Sequence, residues 1–445
     1  MLHSRAVGAG VSCEASGQKV RTHVQRLFYG WWVTGACSLL VGARRGSETA
    51  YGVLLVMWAS TFGWERATIT GALSLAMVLG GLLTPLAGRM LDRHDPRWPF
   101  GIGVVALGGA MLTLTQVQHL WQLYAIMATL YAVALATLEL GMLSAYLARW
   151  FVRRRALAFG LSQAGQGVGI FLLTPLATWL LTQYGWRLGY GLLGGALLLV
   201  LLPVTVLVLR RSPESLGLTP DGLPATALGR GAARRPGATA SGPWTLAQAR
   251  RTRVFWAILL CFYFFPAANQ VFHIHLVAYL TDCGLSTLAA AWGLSIAGLM
   301  SVLGRLLFGV LTDRYGGIIA TQVSFGFSIA GVLLVLLPSI TTPAMLYLFA
   351  VVFGLSLGSR GVTLGAFTAD AFPGREFGAI YGWITSGQLL GGALGPWLGG
   401  LIFDFTGSYR VAFYGCLVGF LMSMALVWVA SWGRRITPVV HAATR

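Results

Sequence analysis

Charge is what this 445-residue chain has least of. Only 10% of its residues are Asp, Glu, Lys or Arg, where a soluble protein carries about 25%. That shortage excludes an ordinary water-soluble globular domain. Lysine is almost missing, since Lys19 is the only one among 31 basic residues; we read this as compositional bias. The cysteines Cys13, Cys37, Cys261, Cys283 and Cys416 are scattered. They show no C-x-x-C pair and no metal-ligand spacing, which argues against a disulfide scaffold or a zinc site. No Walker loop, G-x-G-x-x-G after a strand, H-E-x-x-H or G-x-S-x-G is present. The chain thus shows no sign of ATP-driven work, a bound cofactor or catalysis.

What is abundant is apolar sequence, at 56% of residues. A membrane-crossing helix needs about 20 mostly apolar residues. Runs of that kind occur at 28–58, 67–90, 99–118, 120–147, 156–181 and 188–209, then at 254–281, 286–311, 317–337, 343–369, 377–402 and 411–432. The expected fold is therefore an all-α membrane protein with twelve transmembrane helices in two sets of six. Residues 1–27 read as a polar tail, 28–209 and 254–432 as the two six-helix bundles, and 433–445 as a second tail. The stretch 210–253, rich in Arg, Pro, Gly, Thr and Ala, reads as a solvated linker. The first apolar run is too long for a signal-peptide core, so it is expected to be retained.

The two sets are copies of one unit. Gly88-Arg89-Met90-Leu91-Asp92-Arg93 matches Gly309-Val310-Leu311-Thr312-Asp313-Arg314 at an offset of 221 residues. The same offset relates Phe151 to Phe372, Arg154 to Arg375 and Pro175 to Pro396. One offset held across roughly 90 residues of each half marks a tandem repeat.

The formal net charge of +18 invites a nucleic-acid reading, but its distribution refuses it. With the first tail taken as cytosolic, Arg66, Arg187 and Arg410 are the basic residues of the opposite loops. Arg44, Arg45, Arg305 and Arg360 lie inside helices, and all the others fall in cytosolic tails and loops. That asymmetry is the positive-inside pattern. It puts both termini in the cytosol and gives the basic loops anionic lipid as a neighbour.

Ionisable side chains inside the membrane are costly and usually face a cavity. Here they are Arg44, Arg45, Glu48, Glu139, His273, His275, Arg305 and Arg360. Four Arg against two Glu leaves about two surplus positive charges, a balance that favours an anionic substrate held by guanidinium forks. Arg44 and Glu48, four apart on one helix face, are expected to neutralise each other. That leaves Arg45 free. Glu139 reads either as a proton carrier in helix four or as a partner of a cavity arginine. His273 and His275 read first as satisfied structural histidines, with His275 also a candidate proton carrier. Tyr51, Tyr124, Tyr263, Tyr381, Asn269 and Gln388 are candidate polar groups of the cavity.

Twelve helices in two repeats, a basic central linker and a G-x-x-x-D-R loop after the second helix of each half resemble the major facilitator superfamily. A narrower likeness is to its monocarboxylate and oxalate–formate branch. It rests on Phe62-Gly63-Trp64-Glu65-Arg66, Arg149-Trp150-Phe151 with Arg153-Arg154-Arg155, Gly185-Trp186-Arg187, and His275-Leu276 with Tyr279-Leu280-Thr281-Asp282. Gly304-Arg305 and Gly395-Pro396 with Asp404-Phe405-Thr406-Gly407-Ser408-Tyr409 complete it. The resemblance implies two halves that rock about a central cavity. It also implies that Arg305 holds the substrate carboxylate, and that Gly88, Arg89, Asp92, Arg93, Asp313 and Arg314 form a cytosolic latch. Asp92 and Asp313 would each face a helix start of the opposite half. The chain departs from the branch in having no lysine in any helix, and in Ser301 where animal carriers place an Asp.

The expectation is a secondary transporter of small organic anions, monocarboxylates first, working as a single chain in the plasma (inner) membrane without cofactor or metal. Arg305, Arg45, Arg44, Arg360, Asn269, Tyr381 and Gln388 are the candidate substrate residues. Glu48, Glu139 and His275 are the candidate proton carriers, with anion exchange as another mode. The rival expectations are a drug exporter on the same scaffold and a membrane receptor that binds without transport.

Overall fold

The computed structural model describes residues 28–152, 154–222, 244–372 and 377–436. The tail at 1–27, the middle of the linker, Arg153, Arg375 and the last nine residues lie outside them. In the first half, α1 is Tyr29–Phe62, α2 Arg66–Arg93, α3 Arg97–Leu114 and α4 Leu120–Leu147. The next helix runs Arg155–Val208 and is broken at Gly185 into two limbs, α5 before it and α6 after it. In the second half, α7 is Arg253–Asp282, α8 Thr287–Tyr315, α9 Gly317–Leu336, α10 Pro343–Ala371, α11 Phe377–Thr406 and α12 Tyr409–Ile436. A helix satisfies every backbone group within its own segment, which is why it is the element that can cross lipid. Large apolar side chains such as Leu82, Leu199, Leu306 and Val310 point outward.

Ten of these stretches, among the described residues, are long and apolar enough to cross a membrane. Two details reconcile ten with twelve helices. Gly185, at φ 77° and ψ 160°, makes the whole turn between α5 and α6, so one 52-residue stretch contains two crossings. A side chain there would be strained, which is the reason for glycine. Helix α1 is absent from the ten. It holds Arg44, Arg45 and Glu48 in mid-helix, and the backbone runs unbroken through them.

Helix ends follow local chemistry. The Ser286 and Thr252 hydroxyls accept from the backbone N–H of Ala289 and Phe255, capping α8 and α7. Gly63 closes α1 in the left-handed region. Helix α4 is less regular than its apolar run predicts. It carries a π-helical turn at Met127–Tyr131 and breaks at Leu138 and Glu139.

Buried apolar side chains form two clusters, one drawn from 33–209 and one from 249–430. Ile274 crosses into the first, and Val53 and Ile170 into the second. The halves meet along α2 with α11, α5 with α8, and α1 with α7. Close approach there depends on small residues. A Cβ at Gly167 of α5 would lie 2.4 Å from the Gly298 carbonyl oxygen of α8.

Candidate functional site

Midway along the interface, α1 of the first half faces α7 of the second through a ring of hydrogen bonds. Arg45 Nη1 donates to Glu48 Oε1 at 2.7 Å, and Arg45 Nη2 donates to Gln270 Oε1 at 3.2 Å. Gln270 Nε2 closes the ring by donating to Glu48 Oε1 at 2.7 Å. Glu48 is 1% exposed, so its charge is held inside protein with little water.

This ring corrects the expectation that Arg45 is free. The i, i+4 pair with Arg44 exists, but at 3.5 Å and without a hydrogen bond; the closer partner of Glu48 is Arg45, three residues away. Arg44 instead lies between Glu48 and Glu139, whose Oε2 is 3.8 Å from Arg44 Nη2. Glu139 is not the lone mid-helix carboxyl that the run of leucines suggests. It sits at the break of α4, with extended backbone (φ −68°, ψ 143°) and a side chain 43% exposed.

Arg305, on α8, crosses to the other half and donates from Nη1 to the backbone carbonyl of Gln163 on α5. It makes no ion pair among the described residues. Arg45 stands within its electrostatic reach.

Helix α7 contributes more than its sequence announces. Asn269, Gln270 and His273 are all buried, at positions that share one helix face. The Asn269 Oδ1 and both ring nitrogens of His273 have no hydrogen-bond partner among the described residues. His273 stands within electrostatic reach of Arg45 and Glu48. His275, two residues on, points elsewhere. Its Nε2 donates to the Pro396 carbonyl at 2.8 Å and its Nδ1 pairs with the Tyr409 hydroxyl at 3.0 Å. Both nitrogens are engaged at the junction of α7, α11 and α12, away from Glu48. The structure thus takes His275 out of the interface cluster and puts His273 in its place. Sequence reasoning gave His273 a structural reading and passed over Gln270, although both stand on the Asn269 face of the helix, at i+4 and i+1.

Arg360 is also displaced from its expected place. It lies inside the second half, with its guanidinium 4.1 Å from the Phe265 ring centroid and near Phe325 and Phe420. Tyr51 donates to the Ile69 carbonyl and Tyr124 to the Thr68 carbonyl, so both serve packing of the first half. Tyr381 is half-buried against Phe262, and Gln388 is exposed.

The two ends of the interface differ. At the end formed by the short loops, Arg66 of α2 grips Asp282 of α7 with both Nη atoms, at 2.9 and 3.3 Å. Its guanidinium also lies 3.8 Å over the Phe403 ring. Asp404, at the end of α11, accepts the backbone N–H of Arg66 at 3.0 Å and of Ala67 at 2.7 Å. The first turn of one half is therefore capped by a carboxylate of the other. At the opposite end, Asp92 pairs at 3.0 Å with Arg149 of its own half. Asp313 and Arg314 are exposed. Among the described residues no contact runs from Asp92 or Asp313 to a helix start across the interface, and the residues just before α11 lie outside them. The device exists, but at the other end and through Asp404.

A twelve-helix bundle in two repeats, with its polar cluster at their interface, defines a multi-pass membrane protein with the architecture of a carrier. The family model for the Major Facilitator Superfamily matches residues 37–363 and 323–444, and the chain belongs to that superfamily. Monocarboxylate transporter 13 of Rattus norvegicus is 29% identical over 406 residues, covering 86% of this chain and 85% of its own. Monocarboxylate transporter 3 of the same species is 28% identical over 409 residues, covering 90% and 79%. Among solved structures, a bacterial homologue of the human lysosomal transporter Spinster, inward-facing and occupied, superposes with a TM-score of 0.65. It shares 15% identity and covers 92% of this chain and 98% of its own. These relatives are transporters, not enzymes.

Proposed function

We propose that the chain is a secondary transporter of small monocarboxylates that works by alternating access between its halves. The observation that carries this reading is a charge count made in space. Arg44 and Arg45 are taken by Glu48 and Glu139, and Arg360 lies outside the interface. Arg305 is left as the interface guanidinium with no carboxylate partner among the described residues. One surplus charge matches one carboxylate, where the composition alone counted two. The names of the relatives support the same substrate class.

In this reading Arg305 grips the carboxylate through paired N–H donors. Asn269 and His273, with unmet hydrogen bonds, receive a polar substituent such as a hydroxyl or oxo group. The incoming carboxylate also competes for Arg45, and Glu48 takes a proton as Arg45 leaves it. That couples proton and anion and opens the Arg45–Glu48–Gln270 ring between the halves. The basic loops lie in the cytosol by the positive-inside rule, with the protein in the plasma (inner) membrane. A drug exporter needs unengaged acidic groups in its cavity, and both glutamates here face arginine.

The test is uptake of labelled lactate into proteoliposomes, with and without an inward proton gradient. Gradient-driven uptake is expected, and its loss in Arg305→Ala with an unchanged melting profile. Undiminished uptake in that variant sinks the assignment of Arg305. In Glu48→Gln we expect lactate counterflow to persist while stimulation by the gradient disappears. Stimulation that survives moves the coupling role to Glu139.

A further inference from the structure

Arg360 has no task in the transport reading, and its surroundings are unusual for a charged group. It is 4% exposed, deep among α7, α9, α10 and α12. It makes no ion pair among the described residues. A buried guanidinium without a counter-charge is strongly disfavoured, because its hydration is lost and nothing replaces it. Three Phe rings cover it, Phe265 at 4.1 Å, Phe420 at 5.2 Å and Phe325 at 5.3 Å. Such cation–π contacts offset part of the cost and supply no negative charge.

Hydrogen bonding is incomplete as well. Of the guanidinium nitrogens, Nη2 donates to the Ser328 hydroxyl, while Nε and Nη1 have no partner. Around them is a set of fully buried hydroxyls. Ser328 donates to Ser356 at 2.7 Å, and Ser324 pairs with Ser359. The Thr363 hydroxyl, one turn along α10 from Arg360, is 0% exposed and also unpartnered. The serine donors are spent, since Ser356 donates to the Phe353 carbonyl and Ser359 to the Ser356 carbonyl. Two N–H donors, the Thr363 hydroxyl and a whole positive charge are left without a partner among the described residues.

From this geometry we propose that Arg360 and Thr363 form a binding site for a small monovalent inorganic anion of the chloride class, separate from the substrate site. The anion neutralises Arg360 and takes up the unused donors. It therefore stabilises the second half whether or not substrate is bound, and it accounts for the arginine that the interface does not use.

The experiment is thermal unfolding of the purified full chain in chloride against sulfate, at constant ionic strength. A binding site stabilises the folded chain by RT ln(1 + [L]/Kd), so the midpoint must stay flat below Kd and then rise with the logarithm of the chloride concentration. The expected result is such a logarithmic rise in the wild type that is absent in Arg360→Met. In Thr363→Val the chloride concentration at which the rise sets in should increase several-fold; this variant carries the test where Arg360→Met fails to fold. Arg305→Met should keep the full shift. Equal midpoints in the two salts overturn the proposal. So does a chloride shift that survives unchanged in either α10 variant, or one lost in Arg305→Met.

Discussion

The two ends of the interface between the halves are built from the same kind of parts and are joined very differently. At the short-loop end, Arg66, Asp282 and Asp404 tie the halves together through four hydrogen bonds, two of them to the opening backbone of α2. At the basic-loop end, Asp92 holds Arg149 within its own half, and Asp313 and Arg314 face outward. At the short-loop end a carboxylate at the end of one helix meets the start of another across the interface. Among the described residues the basic-loop end shows no such contact. The lesson is that a repeated loop motif marks a position and not a contact.

That comparison can be broken, with the largest effect expected from the double variant Asp282→Ala/Asp404→Ala. It removes a bidentate charge-assisted pair and a helix cap, worth about 1.5–3 and 0.5–2 kcal/mol in turn. The population should move by roughly 30-fold or more toward a state open at the short-loop end. Spin labels at Ser60 and Leu288, one in each half near that end, should report a longer distance. An unchanged distance distribution would show that the tie does not hold this end shut. A smaller effect is expected from Asp404→Asn. The neutral amide still caps α2, so the shift should be a few-fold at most. A loss as large as that of the double variant would make charge, not capping, the cause. The smallest effect belongs to Arg149→Ala. Its partner Asp92 has a side chain 77% exposed, and exposed pairs contribute about 0–1 kcal/mol. The melting point should move by no more than a degree or two. A large drop would mean that the pair supports a contact this arrangement does not make.

Much was legible in the chain beforehand. Long apolar runs and the 221-residue offset follow from lipid acting as solvent and from a duplicated unit, and both are properties of linear sequence. The scarcity of intramembrane charges pointed straight to Arg44, Arg45, Glu48, Glu139, Arg305 and Arg360. Their partners were another matter. Spacing favoured Arg44 for Glu48, yet Arg45 won because Gln270, 222 residues from Glu48, completes a ring that only the shorter i, i+3 pair can join. The leucines flanking Glu139 hid a break in α4, and the bend at Gly185 alone turned one 52-residue stretch into two crossings.

By itself, then, the sequence determined the class of solvent, the number of crossings, the repeat and the identity of the few charges that have to be accommodated. Those are decided by hydropathy and periodicity, which are local and additive. Only the tertiary structure decided which arginine is left over, which histidine joins the cluster and which end is tied. Each of these is a choice between partners on different helices. A few ångströms across an interface settle it, and linear distance along the chain carries no information about that gap.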